Sequence, residues 1–372
     1  MVQLKEATTK KDLKRFIKFP FSLYKDCPYW VPPLISDELE TFDKKRNPNF
    51  KKAEAWFYLA YRENQIVGRV MAIINWVEVK EQQVAKMRFG WFDFIDDLEV
   101  SKSLLDKVAS IGRERGLDFM EGPVGITNLD KVGVLIEGFD HIGTMITWYN
   151  YAYYKKHYEA FGLVKQKEYL ENKFPASNTK PEYFEKVQLL IKKRYSLREM
   201  NFSSTKEIMP WADQMFDLFN ESYVKLSSFV PLTKAQKIYF KTKYLRLINP
   251  EYIKFVIDKD DQLVAFAIVM PSFAKTLRRI KGKLFPFGFL HLLYAKKNSK
   301  DVIFYLIGVH PEYQKKGVTA IIMSQFHKVF QEKKIENCYR TPELEENKDI
   351  KQLWKHFDPV IYKRRRTYKK AL

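Results

Sequence analysis

The sequence predicts an α/β fold laid down twice along one chain. Three observations point there. The 372 residues amount to about two domains of ordinary size. The order helix, hairpin, strand, helix, strand, helix can be read once before and once after a polar stretch near the middle. Hydrophobic residues make up 46% and charged residues 30%, enough apolar surface to offset the entropy of ordering, which excludes a disordered chain.

The first half opens with a short strand over Val2–Ala7, then Thr8 or Thr9 caps a helix through KKDLKRFIKF. Pro28, Pro32 and Pro33 interrupt the next stretch, an irregular aromatic arm. Trp56–Tyr61 and Ile66–Asn75 flank the polar turn at residues 62–65 and predict a hairpin. Phe89–Phe94 reads as a strand, Leu98–Arg115 as a helix stopped by Gly116, Asp118–Glu121 as a short strand, and Tyr151–Phe161 as a helix closed by Gly162.

The second half follows the same order. Ile208–Leu226 reads as a helix, and Tyr252–Ile257 with Leu263–Met270 as a hairpin. Val302–Val309 is a strand, Thr319–Lys333 a helix, Ile335–Tyr339 a strand, Asn347–Phe357 a helix and Val360–Tyr368 a last strand. The polar segment Ser177–Pro181 and a connecting helix over Glu182–Lys193 form the joint. The expected domains are residues 1–178 and 201–372, joined by 179–200.

Lys and Arg number 65 against 45 Asp and Glu, so the net charge is +20 and the surface attracts anions. Aromatic residues reach 16%, which suits deep cores or aromatic-walled clefts. Two cysteines, Cys27 and Cys338, exclude a disulfide framework and a four-cysteine zinc site, and read as small buried apolar groups. The six histidines show no metal-ligand spacing. The beginning of the sequence has no apolar stretch of signal-peptide length, and Leu284–Ala295 is too short to span a bilayer, so a cytoplasmic protein is expected.

The stretch that carries chemistry runs from Tyr305 to Thr319 and opens the helix AIIMSQFHKVFQ. An apolar strand enters a turn holding Gln314, Lys315, Lys316, Gly317 and Val318. The amides of that turn and of the helix start form a concave anion site. Gly317 permits close backbone approach and unusual φ. GxxxxGK[ST] and GxGxxG are both missing, so a cofactor diphosphate is expected rather than a nucleoside triphosphate. His310 reads as a turn residue.

Val309-x-Pro311-x-x-Gln314-x-x-Gly317-x-Thr319 resembles motif A of the GNAT acetyltransferase superfamily, V-x-P-x-x-[QR]-x-x-G-x-[GA], with Thr319 the one departure. Asn347-x-x-Ile350-x-x-Leu353-Trp354 is similar to that family's next helix. In the first half, Tyr158-Glu159-Ala160-Phe161-Gly162-Leu163 resembles the family's L-Y-E-K-x-G-F ending. The position corresponding to motif A, Phe94–Val100, has no glycine and carries three acids, which would repel a diphosphate. The arm around residues 21–34 and Asn47-Pro48 resembles bacterial tandem-GNAT proteins along nearly the whole chain.

The resemblance implies two mixed, mostly antiparallel sheets flanked by helices, with central strands splayed in the second. It implies acetyl-CoA or another acyl-CoA as cofactor and direct acyl transfer to an amine on a small-molecule or peptide acceptor, approaching the cleft between the halves. Gly308, Val309 and residues 314–319 would hold the cofactor, with a bulge near Gly308 opening the strands. The amide near Val309 would polarise the thioester carbonyl. Asn347 would bond the pantetheine arm or cap its own helix. Where the family often places an acid tyrosine this chain has Trp354, which cannot donate a proton; Tyr339 or Tyr362 would substitute. Glu343, Glu345 and Glu346 read as a solvated turn, and Tyr158 as a core tyrosine.

Two other readings remain open: a Fem-like transferase using aminoacyl-tRNA, with the basic surface holding nucleic acid, and a non-catalytic binder on the same fold. The basic tail Lys363–Arg366 with Lys369 and Lys370 alternates between faces if Val360–Tyr368 is a strand, which lets some charges face the cofactor's phosphates or an acidic substrate and leaves most solvated. The insert over residues 276–297, apolar with basic flanks, reads as cover for a pocket or core in preference to a peripheral membrane contact.

Overall fold

The computed structural model describes residues 1–178, 181–224, 229–244 and 248–372. Residues 179–180 of the expected joint and linker, and 225–226 of the expected helix Ile208–Leu226, lie outside the described residues.

In chain order the first elements are β1 (Gln3–Glu6), α1 (Lys10–Leu23), α2 (Ile35–Thr41), β2 (Ala53–Arg62), β3 (Gln65–Asn75), β4 (Lys86–Phe94) and α3 (Leu98–Glu114). There follow β5 (Phe119–Gly122), β6 (Val134–Glu137), α4 (Tyr154–Ala160), β7 (Val164–Pro175) and α5 (Pro181–Tyr195). Next come β8 (Arg198–Met200), α6 (Thr205–Ile208), α7 (Ala212–Tyr223), α8 (Lys234–Tyr244), β9 (Ile253–Ile257) and β10 (Leu263–Pro271). The last are α9 (Ala274–Ile280), α10 (Gly288–Asn298), β11 (Asp301–Val309), α11 (Thr319–Lys333), β12 (Asn337–Arg340), β13 (Glu343–Leu344), α12 (Lys348–Trp354) and β14 (Val360–Ala371).

Local chemistry sets many of these boundaries. Thr9 caps α1, accepting from the Asp12 amide at 3.1 Å. The β2–β3 hairpin turns on Glu63 and Asn64, both at positive φ, the geometry of a two-residue turn between twisted strands. Gly116 and Gly162, at φ +66 and +81, end α3 and α4.

The chain forms two compact units that are not the contiguous segments 1–178 and 201–372. The first comprises residues 1–170, 274–289 and 362–372, and the second residues 171–273 and 290–361. In the first, strands follow the order β1-β2-β3-β4-β5-β14, with β4–β5 parallel and the other pairs antiparallel. Its core lies between this sheet and α3, around Val70, Phe89, Phe94, Leu104 and Tyr158. In the second, the order is β12-β11-β10-β9-β8, with β11–β12 parallel, and residues 173–175 at the end of β7 pair antiparallel with β12. Each unit is thus a mixed, mostly antiparallel sheet flanked by helices.

The basic tail is a strand. Lys363 is buried and donates to the Ile142 carbonyl at 2.6 Å, Arg365 is buried and donates to the Trp148 carbonyl at 2.5 Å, and Arg364 and Arg366 pair with Glu168. The expectation of a mostly solvated tail fails because its charges meet partners far away in sequence.

Candidate functional site

In the second unit, β11 is where the sheet opens. Its parallel pairing with β12 runs from Asp301↔Asn337 to Phe304↔Arg340 and goes no further. On its other side β11 continues along β10 to Val309↔Ala265. The register skips Tyr305 between Leu306↔Ile268 and Phe304↔Val269, so the bulge is at Tyr305 and not near Gly308. Gly308 pairs regularly with Phe266; a Cβ on it would lie 2.4 Å from that ring. A close aromatic neighbour, not a bulge, demands glycine there.

The His310 amide donates to the Val264 carbonyl at 2.8 Å. Alternation along an antiparallel strand then turns the backbone groups of Gly308 and Leu306 toward β10, and those of Val309 and Ile307 into the opening. Two side chains from α7 reach in: the Tyr223 hydroxyl donates to the Ile307 carbonyl at 2.9 Å, and the Ser222 hydroxyl to the Val309 carbonyl at 3.1 Å. Burial pushes the Tyr223 phenol up to about 12, so it stays protonated as a donor. The amides of Ile307 and Val309 have no hydrogen-bond partner among the described residues. Sequence reasoning missed Ser222 and Tyr223, which sit on an amphipathic helix with no motif around them.

Beyond β11 the chain takes nine residues, 310–318, to reach α11. Lys315 and Gly317 have φ of +63 and +78, and Lys315, Lys316 and Gly317 are exposed. A Cβ on Gly317 would meet Ile191 of α5 at 3.3 Å. Residues 314–319 do not all offer amides. Gln314 donates its backbone N–H to Pro311 and its side-chain Nε2 to the Val309 carbonyl, and the Lys316 amide donates to Tyr313. The Lys316 ammonium lies 5.3 Å from the Tyr195 ring centroid and 5.4 Å from that of Tyr313. The amides of Gly317, Val318 and Thr319 have no partner among the described residues, and no side chain caps α11. Three open amides at a positive helix end suit an anion.

Other expected site residues fall elsewhere. Asn347 caps α12, its Oδ1 accepting from the Ile350 amide at 3.2 Å, so its side chain serves the helix. Trp354 is buried against Phe304, Phe174 and Phe357, with the Arg340 guanidinium 4.5 Å over its ring, a packing residue. Tyr339 pairs with Ile303 in the closed part of β12, its phenol pushed up by burial and by nearby Asp301 and Cys338. Tyr362 belongs to the first unit, against His141. Glu343 pairs with Arg340 and accepts from Asn172, and His310 caps the turn at Glu312 with Glu221 3.6 Å from its Nε2.

The first unit repeats this construction and closes it. The Ile95 amide donates to Val67 at 3.0 Å and Phe94 pairs with Gly68, so Phe94 corresponds to Val309. There the Phe94 amide donates to the Tyr154 hydroxyl at 3.2 Å, and the Tyr153 hydroxyl donates to the Phe94 carbonyl at 2.5 Å. Tyr154 belongs to a buried network with Tyr24, Asp93 and Arg69. The turn shrinks to residues 95–97, and Asp97 accepts from the amides of Glu99 and Val100 at 2.9 and 3.3 Å. A carboxylate built into the chain occupies the helix end that α11 leaves open. A hydrogen bond from Arg62 holds that carboxyl below its usual range.

The fold is that of the GNAT superfamily, present twice in the chain. A tandem GNAT protein from the clavulanic acid biosynthesis pathway superposes with a TM-score of 0.56 at 10% identity, over 100% of this chain and 98% of its own. A GCN5-related N-acetyltransferase from Sphaerobacter thermophilus gives 0.53 at 8% identity, over 100% and 95%. No family profile matches the sequence. Two relatives align along almost the whole chain. Protein YghO of Escherichia coli (strain K12) is 28% identical over 372 residues, 98% of this chain and 94% of that protein. The bacterial ceramide synthase of Caulobacter vibrioides (strain NA1000 / CB15N) is 25% identical over 375 residues, 98% and 96%.

Proposed function

We propose that the chain is an N-acyltransferase that takes its acyl group from a coenzyme A thioester bound to the second unit. The observation that carries this reading is one run of open backbone donors. The amides of Ile307 and Val309 lie along the opening of β11, and those of Gly317, Val318 and Thr319 follow at the start of α11. The first group suits an extended amide-bearing arm and a thioester carbonyl, the second a diphosphate. The thioester would supply an activated acyl carbon. The acceptor nitrogen would bond to that carbon as the carbon–sulfur bond breaks, and the proton lost by the amine would go to the departing sulfur, giving the thiol.

For the acceptor we propose a long-chain lipid amine. The full-length similarity to a bacterial ceramide synthase supports this, ceramide being the amide of a long-chain amino alcohol. Acetyl and long-chain acyl donors are both compatible with the backbone site.

The test is thermal shift with coenzyme A, acetyl-CoA and palmitoyl-CoA, followed by mass spectrometry of the products formed with a sphingoid base. All three ligands should raise the melting temperature. Gly317→Val, which forces a β-branched residue to φ +78 and against Ile191, should abolish the shift. Gly317→Asn tolerates that φ and controls for folding. No shift with any coenzyme A species, or an undiminished shift in a folded Gly317→Val protein, overturns the donor site. A shift without amide product overturns the acceptor.

A further inference from the structure

The sequence favoured burial for the apolar insert, and the structure does the reverse. After α9 the chain passes through residues 281–287 into α10, where Leu284 and Leu292 are half-buried and the other large apolar side chains point to solvent. Phe285 is 81% exposed, Phe287 67%, Leu293 59% and Tyr294 70%. On α10, Phe289 and Leu293 lie one turn apart, as do Leu290 and Tyr294, so the four form one stripe, with exposed Lys297 next along it. Ala295 is buried on the other side of the helix.

The segment is also held in place. The Gly282 carbonyl accepts from the Ile35 amide at 3.1 Å, and a Cβ on Gly282 would lie 2.3 Å from the Pro33 carbonyl oxygen. Leu277 of α9 is buried beneath. The aromatic tip is therefore presented by an anchored base.

The surrounding charge has a single sign. Residues 274–300 contain eight Lys and Arg and no Asp or Glu. Arg278, Arg279, Lys281 and Lys283 precede the apolar tip, and all four are exposed. Within this segment the apolar stripe is flanked in sequence by cations alone, which matches the boundary between anionic headgroups and acyl chains. No helix among the described residues is long and apolar enough to cross a membrane, so the contact would be interfacial.

We propose that residues 281–297 dock the protein on an anionic lipid bilayer, with Phe285, Phe287, Leu293 and Tyr294 inserted at the headgroup level. This goes beyond the acyltransferase reading and does not rest on it.

The test is flotation of the full chain with vesicles of phosphatidylcholine alone or with roughly 30 mol% phosphatidylglycerol, at low and high salt. Binding to the anionic vesicles should exceed binding to neutral ones by about tenfold or more and weaken with salt. The combined substitution Phe285→Ser, Phe287→Ser and Leu293→Ser should abolish it while leaving the melting temperature and the coenzyme A shift unchanged. Phe287→Trp should show a blue-shifted emission on anionic vesicles. Absence of vesicle binding, equal binding to both compositions, or binding that survives the triple substitution overturns the proposal. Self-association that the triple substitution abolishes, without vesicle binding, overturns it in favour of a second copy as the occupant.

Discussion

A methyl group added at Gly308 would sit 2.4 Å from Cε1 of Phe266, a fully buried ring with no room to retreat. Gly308→Ala should therefore destabilise the protein by about 1–3 kcal/mol, read as a lower denaturation midpoint with unchanged slope. A variant as stable as the parent would show that the strands yield there. The glycine was legible as a special position, but its reason was not, because Phe266 is 42 residues away in sequence. The same limit applies around the helix turn. Val309, Gly317 and Thr319 can be read from spacing, since the chemistry of a strand–turn–helix is local. That Lys316 spends its amide inside the turn depends on the positive φ of Lys315, which places the Tyr313 carbonyl within reach. In the first half, the acids at residues 96–99 already signalled a poor diphosphate turn. The Tyr154 hydroxyl that satisfies Phe94 comes from 60 positions further on, and no local pattern announces it.

At the scale of elements, hairpins and long helices are legible because periodicity and caps are local: α11 spans Thr319–Lys333, the range the pattern gives. Strand β7 was not anticipated. Its apolar and charged residues are mixed, and its role appears only against β14. Glu168 of β7 accepts from Arg366 at 2.8 Å, with Arg364 at 3.2 Å and Lys165 at 2.8 Å. Burial opposes ionisation of Glu168, yet these cations hold its carboxyl at about 2, against 4.5 for the ordinary group. A depressed carboxylate stabilises the fold fully above its unfolded value and loses that contribution as pH falls toward its folded value. The window is therefore pH 4.5 down to about 2. About 1–3 kcal/mol should be lost across it, after allowing for screening by solvent. Glu168→Gln should flatten that part of the stability–pH curve and cost stability near neutrality. An unchanged acid limb in urea titrations at successive pH values would remove the cluster from the account of acid unfolding.

At the scale of the whole molecule, the two compact units cross the order of the chain. The last eleven residues, 362–372, belong to the first unit. There Tyr368 pairs with Gly122 and packs its ring, tilted, 5.0 Å from that of Tyr158, Arg366 pairs with Val134, and Arg365 is buried. Sequence reading places a boundary where composition turns polar, and so cuts the chain once. A strand that returns across more than two hundred residues is set by pairing alone, which composition does not record. The consequence is a truncation phenotype far from the cut in sequence. Removing residues 362–372 exposes one edge of β5, unpairs β6 and takes Tyr368 out of the core that includes Phe89, Leu104 and Tyr158. Losing a buried aromatic costs about 3–5 kcal/mol, and the broken ladder and the loss of Arg364 and Arg366 from Glu168 add to it. A domain's whole stability is only about 5–15 kcal/mol. The first unit should then unfold, and amide hydrogens in β2, β3 and β4 should exchange at least a hundredfold faster than in the parent, while those of β9, β10 and β11 keep most of their protection. A synthetic peptide covering residues 360–372, added in excess, should restore protection to β5 and slow exchange in β3 and β4. Unchanged exchange in β3 and β4 of the truncated chain would mean that the first sheet stands without its last strand.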